Sequence, residues 1–350
     1  MFVYLALLAR HAVDEGHDVI CLISDEGREA IEFERHLRPV GGISVTSVPS
    51  PLLLRNIVAV SAENQSDVVV IPNGDVFVTD VAREGWAGRG VLRLLVMRDP
   101  RWERPASLIR RLRLRTKSAL IRVAASRGAE VVWLRQPGYS GPEVHVNDPV
   151  IIDGDVAGVV TRGHALRQAL SMGTETFWFG MTGAISPHKN LDLVLHALAA
   201  VQRRGPDRPF GFALIGPLSE SLGQREDEII AALDALPFPT RRRSGVMTNE
   251  EMNAAVAAVD CVIMAYSTSS PNSTLGKAVA LGTLVAAAGD GSIATFVSDL
   301  GMGPTAALTV DGLAALLAER LTSSKPHPRE DILLDQFCGI LVSPPHASGV

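Results

Sequence analysis

Lys189 stands shortly after Gly183, where an apolar run at 176–180 gives way to a helical pattern. Gly216 closes a second run, at 210–215, and Asn272, Ser273, Thr274 and Leu275 open a helical segment after a third, at 260–266. Glycines and small polar residues at strand ends suit a ligand site, because parallel α/β sheets bind ligands beyond the carboxyl ends of their strands. Helix N-termini there add free N–H groups and about half a unit of positive charge, which hold anions. An ammonium beside them stabilises charge that builds on a departing phosphate. Lys189 thus reads as the cation of a phosphate site, or else as a solvated surface lysine. Ser273 and Thr274 offer hydroxyls and N–H groups to the same ligand, or one of them simply caps its helix. Asn272 fits either role. Lys277 reaches toward the phosphates or is a solvated helix position. His188, beside Lys189, is a further lining candidate.

Two other clusters follow strands. Asp75, in Asn73-Gly74-Asp75, is a general base or a turn residue, since Asn-Gly and Gly-Asp are common turn dipeptides. Arg98, in Arg98-Asp99-Pro100, also follows a strand and is a candidate to face an anionic ligand. The nine histidines are scattered, without metal-ligand spacing, and the chain is read as lacking an Asp-x-Asp motif, so no metal is expected. Cys21, Cys261 and Cys338 are too few and too scattered for a disulfide framework or a zinc site. Residues 101–127 hold nine basic residues and one acid, with Trp102 and several leucines interleaved. Such a segment suits an anionic lipid surface. It also suits a solvated helix face or an anionic substrate.

The elements that must position these residues follow from pattern. The 350 residues suffice for two domains. With 47% hydrophobic and 20% charged residues the chain is globular, and a net charge of −5 argues against a general nucleic-acid binder. No apolar run reaches the roughly 20 residues that span a bilayer. Leu5, Leu8, Ala12 and Val13 make the start an amphipathic helix rather than a signal peptide, so a cytoplasmic protein is expected. Short β-branched runs alternating with helical stretches predict parallel α/β sheets. Helices are predicted over 25–37, over 106–127 before a Gly128 cap, and over 187–204 behind an N-cap at Ser186. Thr248-Asn249-Glu250-Glu251 is a capping box. Residues 136–174 carry few regular signals. The chain is therefore divided into an N-terminal domain at 1–170, a C-terminal domain at 171–330 and a tail at 331–350 that frays at its end.

Four blocks of the second half then resemble, in order, the retaining type of GT-B glycosyltransferase, similar to the group 1 or family 4 type. They are FGMTGAISPHKNLDLVLHALA at 179–199, FALIGP at 212–217, SGVMTNEEMNAAVAAVDCVIMAYS at 244–267 and SPNSTLGKAVALGTLVAAAGDG at 270–291. The resemblance implies two Rossmann-like domains facing a cleft, the first serving an acceptor and the second a nucleotide sugar. It implies sugar transfer with retention and without metal or other cofactor, the donor diphosphate resting near Lys189, Gly183, Gly216 and Ser273–Thr274. The acceptor is unidentified, and a lipid-linked one would fit a peripheral position on the inner face of the membrane through 101–127.

Three departures accompany the resemblance. Where the family carries an arginine after the first glycine, this chain has Ala184. Where it carries two glutamates around the fourth block, this chain has Ser269 and Lys277, and a lysine has no acceptor for ribose hydroxyls. Such losses leave open a non-catalytic binding or scaffold protein of the same fold. An epimerase acting on a nucleotide sugar is a third reading, without placed acid–base groups. Finally, the chain opens inside a helix, with the family's first strand and glycine-rich turn missing. Either the protein starts upstream or its early strands are rearranged.

Overall fold

The computed structural model describes residues 2–101, 108–135, 141–152, 154–267, 272–289, 292–329 and 336–343. They form two compact units, one over residues up to 135 with 141–147 and 336–343, the other over 148–329.

The first unit begins with α1 (Phe2–Asp14), β1 (Val19–Ser24), α2 (Asp25–Glu29), a π turn at Phe33–Leu37 and β2 (Ile43–Val48). It continues through α3 (Leu54–Glu63), β3 (Val68–Ile71), α4 (Gly74–Glu84), β4 (Val91–Val96), α5 (Leu108–Ser126), β5 (Ala129–Arg135) and β6 (His145–Asn147). β3, β4, β5 and β6 form a parallel sheet, with Leu92 opposite Ala129 and Leu94 opposite Val131. Alternation along β4 sends Leu92, Leu94 and Val96 against α3, α4 and α5, where Ile57, Val81 and Ile121 are buried. Leu95 points the other way, to Leu8 of α1. β1 and β2 pair with each other in a separate two-stranded sheet. The chain thus opens on a helix, as expected, and its early strands stand apart from the main sheet. The helix predicted over 25–37 breaks at Ala30, which is extended.

The second unit holds α6 (Val156–Ala169), β7 (Phe177–Thr182), a 3-10 turn at Pro187–Lys189, α7 (Leu191–Arg203), β8 (Phe210–Ile215), α8 (Glu220–Gly223), α9 (Glu226–Asp234) and β9 (Thr240–Arg243). It continues with α10 (Asn249–Ala258), β10 (Cys261–Ala265), α11 (Ser273–Ala280), β11 (Leu284–Ala288), α12 (Ser292–Asp299) and α13 (Val310–Thr322). All five strands are parallel, in the order β11-β10-β7-β8-β9. Every residue of β7, β8, β10 and β11 is buried, as continuous apolar strands covered on both faces must be.

Two boundaries differ from expectation. α6 lies before position 170 yet belongs to the second unit. Its Gly158 and Gly163 weaken the helical pattern in sequence. Gly163 is there for packing, since a Cβ would stand 2.6 Å from that of Ala257 on α10. The predicted tail also holds α14 (Gln336–Val342), which returns to the first unit. Its Phe337, Cys338 and Leu341 bury against Leu8, Leu95 and Val132, and the Arg93 guanidinium donates to the carbonyls of Leu341 and Ser343. A cation at the last carbonyls stabilises a helix end.

Candidate functional site

From β7 the chain of the second unit lays β8 and β9 on one side, then crosses back to place β10 and β11 on the other. β7 and β10 are therefore neighbours whose following segments leave in opposite directions. Such a switch point opens a crevice at the carboxyl ends of the two strands. The crevice is built from the turn after β7 and the segment after β10.

Lys189 lies at this point. The 3-10 turn carrying it ends at Asn190, whose left-handed backbone (φ 51°) redirects the chain into α7. The Asn190 amide donates to the carbonyls of Ala265 at 2.8 Å and His188 at 3.0 Å, and the Ser267 N–H donates to His188 O at 3.0 Å. These bonds pin the turn to the end of β10. Helix α7 starts at Leu191 rather than 187, and the Ser186 side chain bonds the His188 ring instead of capping. A proline followed by a left-handed asparagine makes one tight turn, then a fresh start.

The Lys189 side chain is only 8% exposed. Its Nζ donates to Thr182 O at 2.7 Å, at the tip of β7, and lies 5.8 Å over the ring of Tyr266, just past β10. Among the described residues no carboxylate pairs with it. Burial pushes its pKa down to about 8. The buried Thr182 hydroxyl has no hydrogen-bond partner among the described residues. A buried ammonium at the end of β7, without a counter-charge among the described residues, suits an anion.

The glycines let loops meet there. Gly183 (φ 78°) has the Lys189 Nζ 3.6 Å from where a Cβ would sit. Gly216 (φ 141°) packs so closely that a Cβ would overlap the Gly183 carbonyl. Ala184, where the family carries arginine, is exposed.

Helix α11 approaches through Asn272. Its side chain accepts from the Thr274 N–H at 2.9 Å and hydrogen-bonds the Tyr266 hydroxyl, whose pKa burial pushes up to about 12. Lys189, Tyr266, Asn272 and Thr274 thus form one connected group. Asn272 is the N-cap, Ser273 is half-buried, and Thr274 is buried. Leu275 is fully buried, with its N–H on the carbonyl of Asn272, so its side chain faces the core. Lys277 does not join them. Its ammonium donates to Ile151 O at 2.8 Å, Asn249 Oδ1 at 2.7 Å and Asn253 Oδ1 at 2.5 Å. All three ammonium hydrogens are used, so the residue fastens α11 to α10. Ser269 lies outside the described residues.

Asp75 and Arg98 belong to the first unit. Asp75 accepts from the Met97 N–H at 2.7 Å and pairs with Lys117, which also donates to Arg98 O at 2.7 Å. Both carboxylate oxygens of Asp75 thus tie α4 to β4 and α5, the work of a structural anchor. The Arg98 side chain is exposed. Its neighbour Asp99 is buried. Burial raises its pKa, but Arg101 and Arg135 outweigh that and hold it below the usual range.

Among the described residues no His, Cys, Asp and Glu cluster is placed to hold a metal. The sequence does contain one Asp-x-Asp spacing, Asp153-Gly154-Asp155, which the metal-free expectation passed over. Asp155 caps α6, accepting from the Gly158 N–H at 2.7 Å, and Asp153 lies outside the described residues. Thr182, Asn190 and Tyr266 escaped the sequence reading. Only the position of Tyr266 at a strand end hinted at it.

No family model matches the chain. No curated protein matches it in sequence. Solved structures do. HepE of Anabaena, in complex with UDP and glucose, is 15% identical with a TM-score of 0.62, over 98% of this chain and 89% of that one. WaaG, a glycosyltransferase involved in lipopolysaccharide biosynthesis, is 16% identical with a TM-score of 0.60, over 91% and 86%. The N-terminal domain of the trehalose-6-phosphate phosphatase of Candida albicans is 10% identical with a TM-score of 0.54, over 96% and 88%. The chain has the GT-B fold of two Rossmann-like α/β units, the fold of group 1-like glycosyltransferases.

Proposed function

We propose that the protein is a glycosyltransferase whose second unit binds the diphosphate of a nucleotide sugar at the Lys189 crevice. The observation that carries this reading is a buried ammonium that no carboxylate among the described residues pairs with, held between the carboxyl ends of β7 and β10. Solvation lost by the cation is offset when phosphate oxygens enter. As the bond between sugar and phosphate breaks, negative charge grows on the leaving nucleotide. A cation fixed beforehand stabilises that charge more than the ground state. Gly183 and Gly216 keep the approach free of side chains, and the start of α11 adds its dipole. HepE, in complex with UDP and glucose, and WaaG, a glycosyltransferase, support the reading by fold. Retention of configuration, activity without metal and a cytoplasmic location complete it.

The acceptor side adds a surface. On α5, Leu108, Ile109 and Leu112 are 80%, 69% and 65% exposed, beside the exposed Arg110, Arg111, Arg113 and Arg115. Exposed leucines among arginines match an anionic membrane surface and thus a lipid-linked acceptor.

A second reading, a binding or scaffold protein, is favoured by Ala184 and by Lys277, which is bound elsewhere. Thermal titration with UDP, GDP and their sugars separates the two. Ligand at about 100 times its dissociation constant stabilises by roughly 2.7 kcal/mol. A shift with one nucleotide that Lys189→Ala abolishes supports the transferase. No shift with any of them supports the scaffold.

A further inference from the structure

Met252 borders the Lys189 crevice. It lies near the start of α10, where its N–H donates to the carbonyl of the N-cap Thr248 at 3.0 Å. Gly183 carries no side chain, and the space where its Cβ would stand is ringed by three atoms. They are Met252 Cε at 3.3 Å, Lys189 Nζ at 3.6 Å and Met252 Sδ at 3.7 Å. A thioether and an unpaired ammonium thus face the same small hole.

A thioether is a weak acceptor, so Met252 does little for the ammonium. The carboxylates beside it on α10 are engaged. Glu251 accepts from Arg243 at 2.6 Å through one oxygen and from the Thr248 N–H at 2.8 Å through the other. Glu250 pairs with Arg162 at 3.2 Å. The other titratable groups of the crevice are engaged too, the Tyr266 hydroxyl with Asn272 and the His188 ring with Ser186. Oxidation of the sulfur would change this balance. Methionine sulfoxide is polar, and its oxygen accepts hydrogen bonds far better than the thioether. Among the described residues the Lys189 ammonium uses one hydrogen, on Thr182 O. A buried cation with hydrogens to place is what such an oxygen pairs with.

Exposure allows the reaction. Met252 is half-buried, whereas Met172, Met181 and Met264 are buried. Met97, Met247 and Met302 are half-buried as well, so a test has to single out Met252.

We propose that Met252 is a redox-sensitive gate of the crevice: a peroxide converts its thioether to the sulfoxide, whose oxygen enters the space over Gly183 and pairs with the Lys189 ammonium. The peroxide O–O bond breaks. One oxygen bonds to Sδ and the other leaves as water, so sulfur loses the electron pair that the peroxide gains. A methionine sulfoxide reductase reverses the step with a thiol reductant. Once paired, the ammonium no longer needs an incoming phosphate, and the crevice closes to anions. That consequence rests on the nucleotide reading; the pairing of Lys189 does not.

The test treats the protein with hydrogen peroxide until mass spectrometry shows Met252 converted, and then reads Lys189 in two ways. In urea melts, the gain in stability between about pH 8 and 10.5 that an unpaired buried ammonium gives should shrink, because a paired ammonium keeps its proton. The nucleotide that shifts the melting of untreated protein should bind about tenfold more weakly or worse. Reductase should restore both. Met252→Leu, close in volume, should show no effect of peroxide on either reading, whatever its own starting values, while Met97, Met247 and Met302 still oxidise. An unchanged pH gain in the oxidised parent overturns the proposal, as does a parent with no such gain to lose. Equal effects of peroxide in Met252→Leu overturn it too, as does nucleotide affinity that oxidation leaves intact. A protein that binds no nucleotide, yet loses the pH gain on oxidation in the parent alone, refutes the nucleotide reading and upholds the pairing at Lys189.

Discussion

The Lys189 ammonium donates to the carbonyl oxygen of Thr182 at 2.7 Å, joining a buried cation to the last residue of the central strand of the second sheet. A backbone carbonyl offers partial charge only. Among the described residues the lysine is therefore held in place but not neutralised, and the fold bears that cost where its strands diverge.

That cost has a pH signature. The Lys189 pKa falls from 10.5 to about 8 on folding, so between those values the unfolded chain binds more protons. Stability should then rise as pH increases from about 8 to 10.5, by an amount on the order of 3 kcal/mol, and flatten above. Lys189→Met should remove the rise and be as stable as the parent, or more so, at pH 7. Urea melts across this pH range read both. A parent without the slope would show that the ammonium is solvated. Nucleotide affinity should move the other way, weakening about tenfold per pH unit above 8 in the parent alone.

Gly216→Ala should be costly. It forces a Cβ into the Gly183 carbonyl at a backbone angle that side chains rarely adopt, and a loss of roughly 3 kcal/mol is expected. Gly183→Ala meets only side-chain atoms and should cost roughly 1–2 kcal/mol. Equal effects in denaturant titrations would contradict the close approach of the two loops.

Lys277 should behave as a fastener. Lys277→Met leaves the Asn249 and Asn253 amide oxygens and the Ile151 carbonyl without their donor. A loss of about 3 kcal/mol is expected, with the nucleotide-induced thermal shift retained. A shift that vanishes while stability holds would place Lys277 in the site after all.

The α5 surface is tested by sedimentation with vesicles of anionic and neutral lipid. Binding should require the anionic lipid and fade with salt. Each of Arg110, Arg111, Arg113 and Arg115 changed to Gln should cost about 1 kcal/mol. Leu108→Glu and Leu112→Glu should weaken binding further. Equal binding to neutral vesicles would contradict the basic component.

Much of this was legible in the residues. Strand Val68–Ile71, the long helix before Gly128 and the capping box at Thr248 follow from period and caps, which are local. Lys189 and the two glycines were legible because strand ends and helix starts are marked in sequence. Thr182 and Tyr266 were not, because what gives them a role is the meeting of β7 and β10, which no local pattern encodes. Lys277 misled for a similar reason. A lysine on a helix reads as solvated or phosphate-seeking until Asn249 and Asn253, one turn apart on α10, turn their amides to it. The helix carrying Gly163 was not legible because glycine weakens a helical pattern, whereas here it lets two helices touch.

The most direct measurement is a crystal structure of the protein with UDP, or with whichever nucleotide shifts its melting. The diphosphate should lie within hydrogen-bond reach of Lys189 Nζ, against Gly183 and the start of α11. A nucleotide bound elsewhere, with Lys189 still facing Thr182 and Tyr266 alone, would contradict the account.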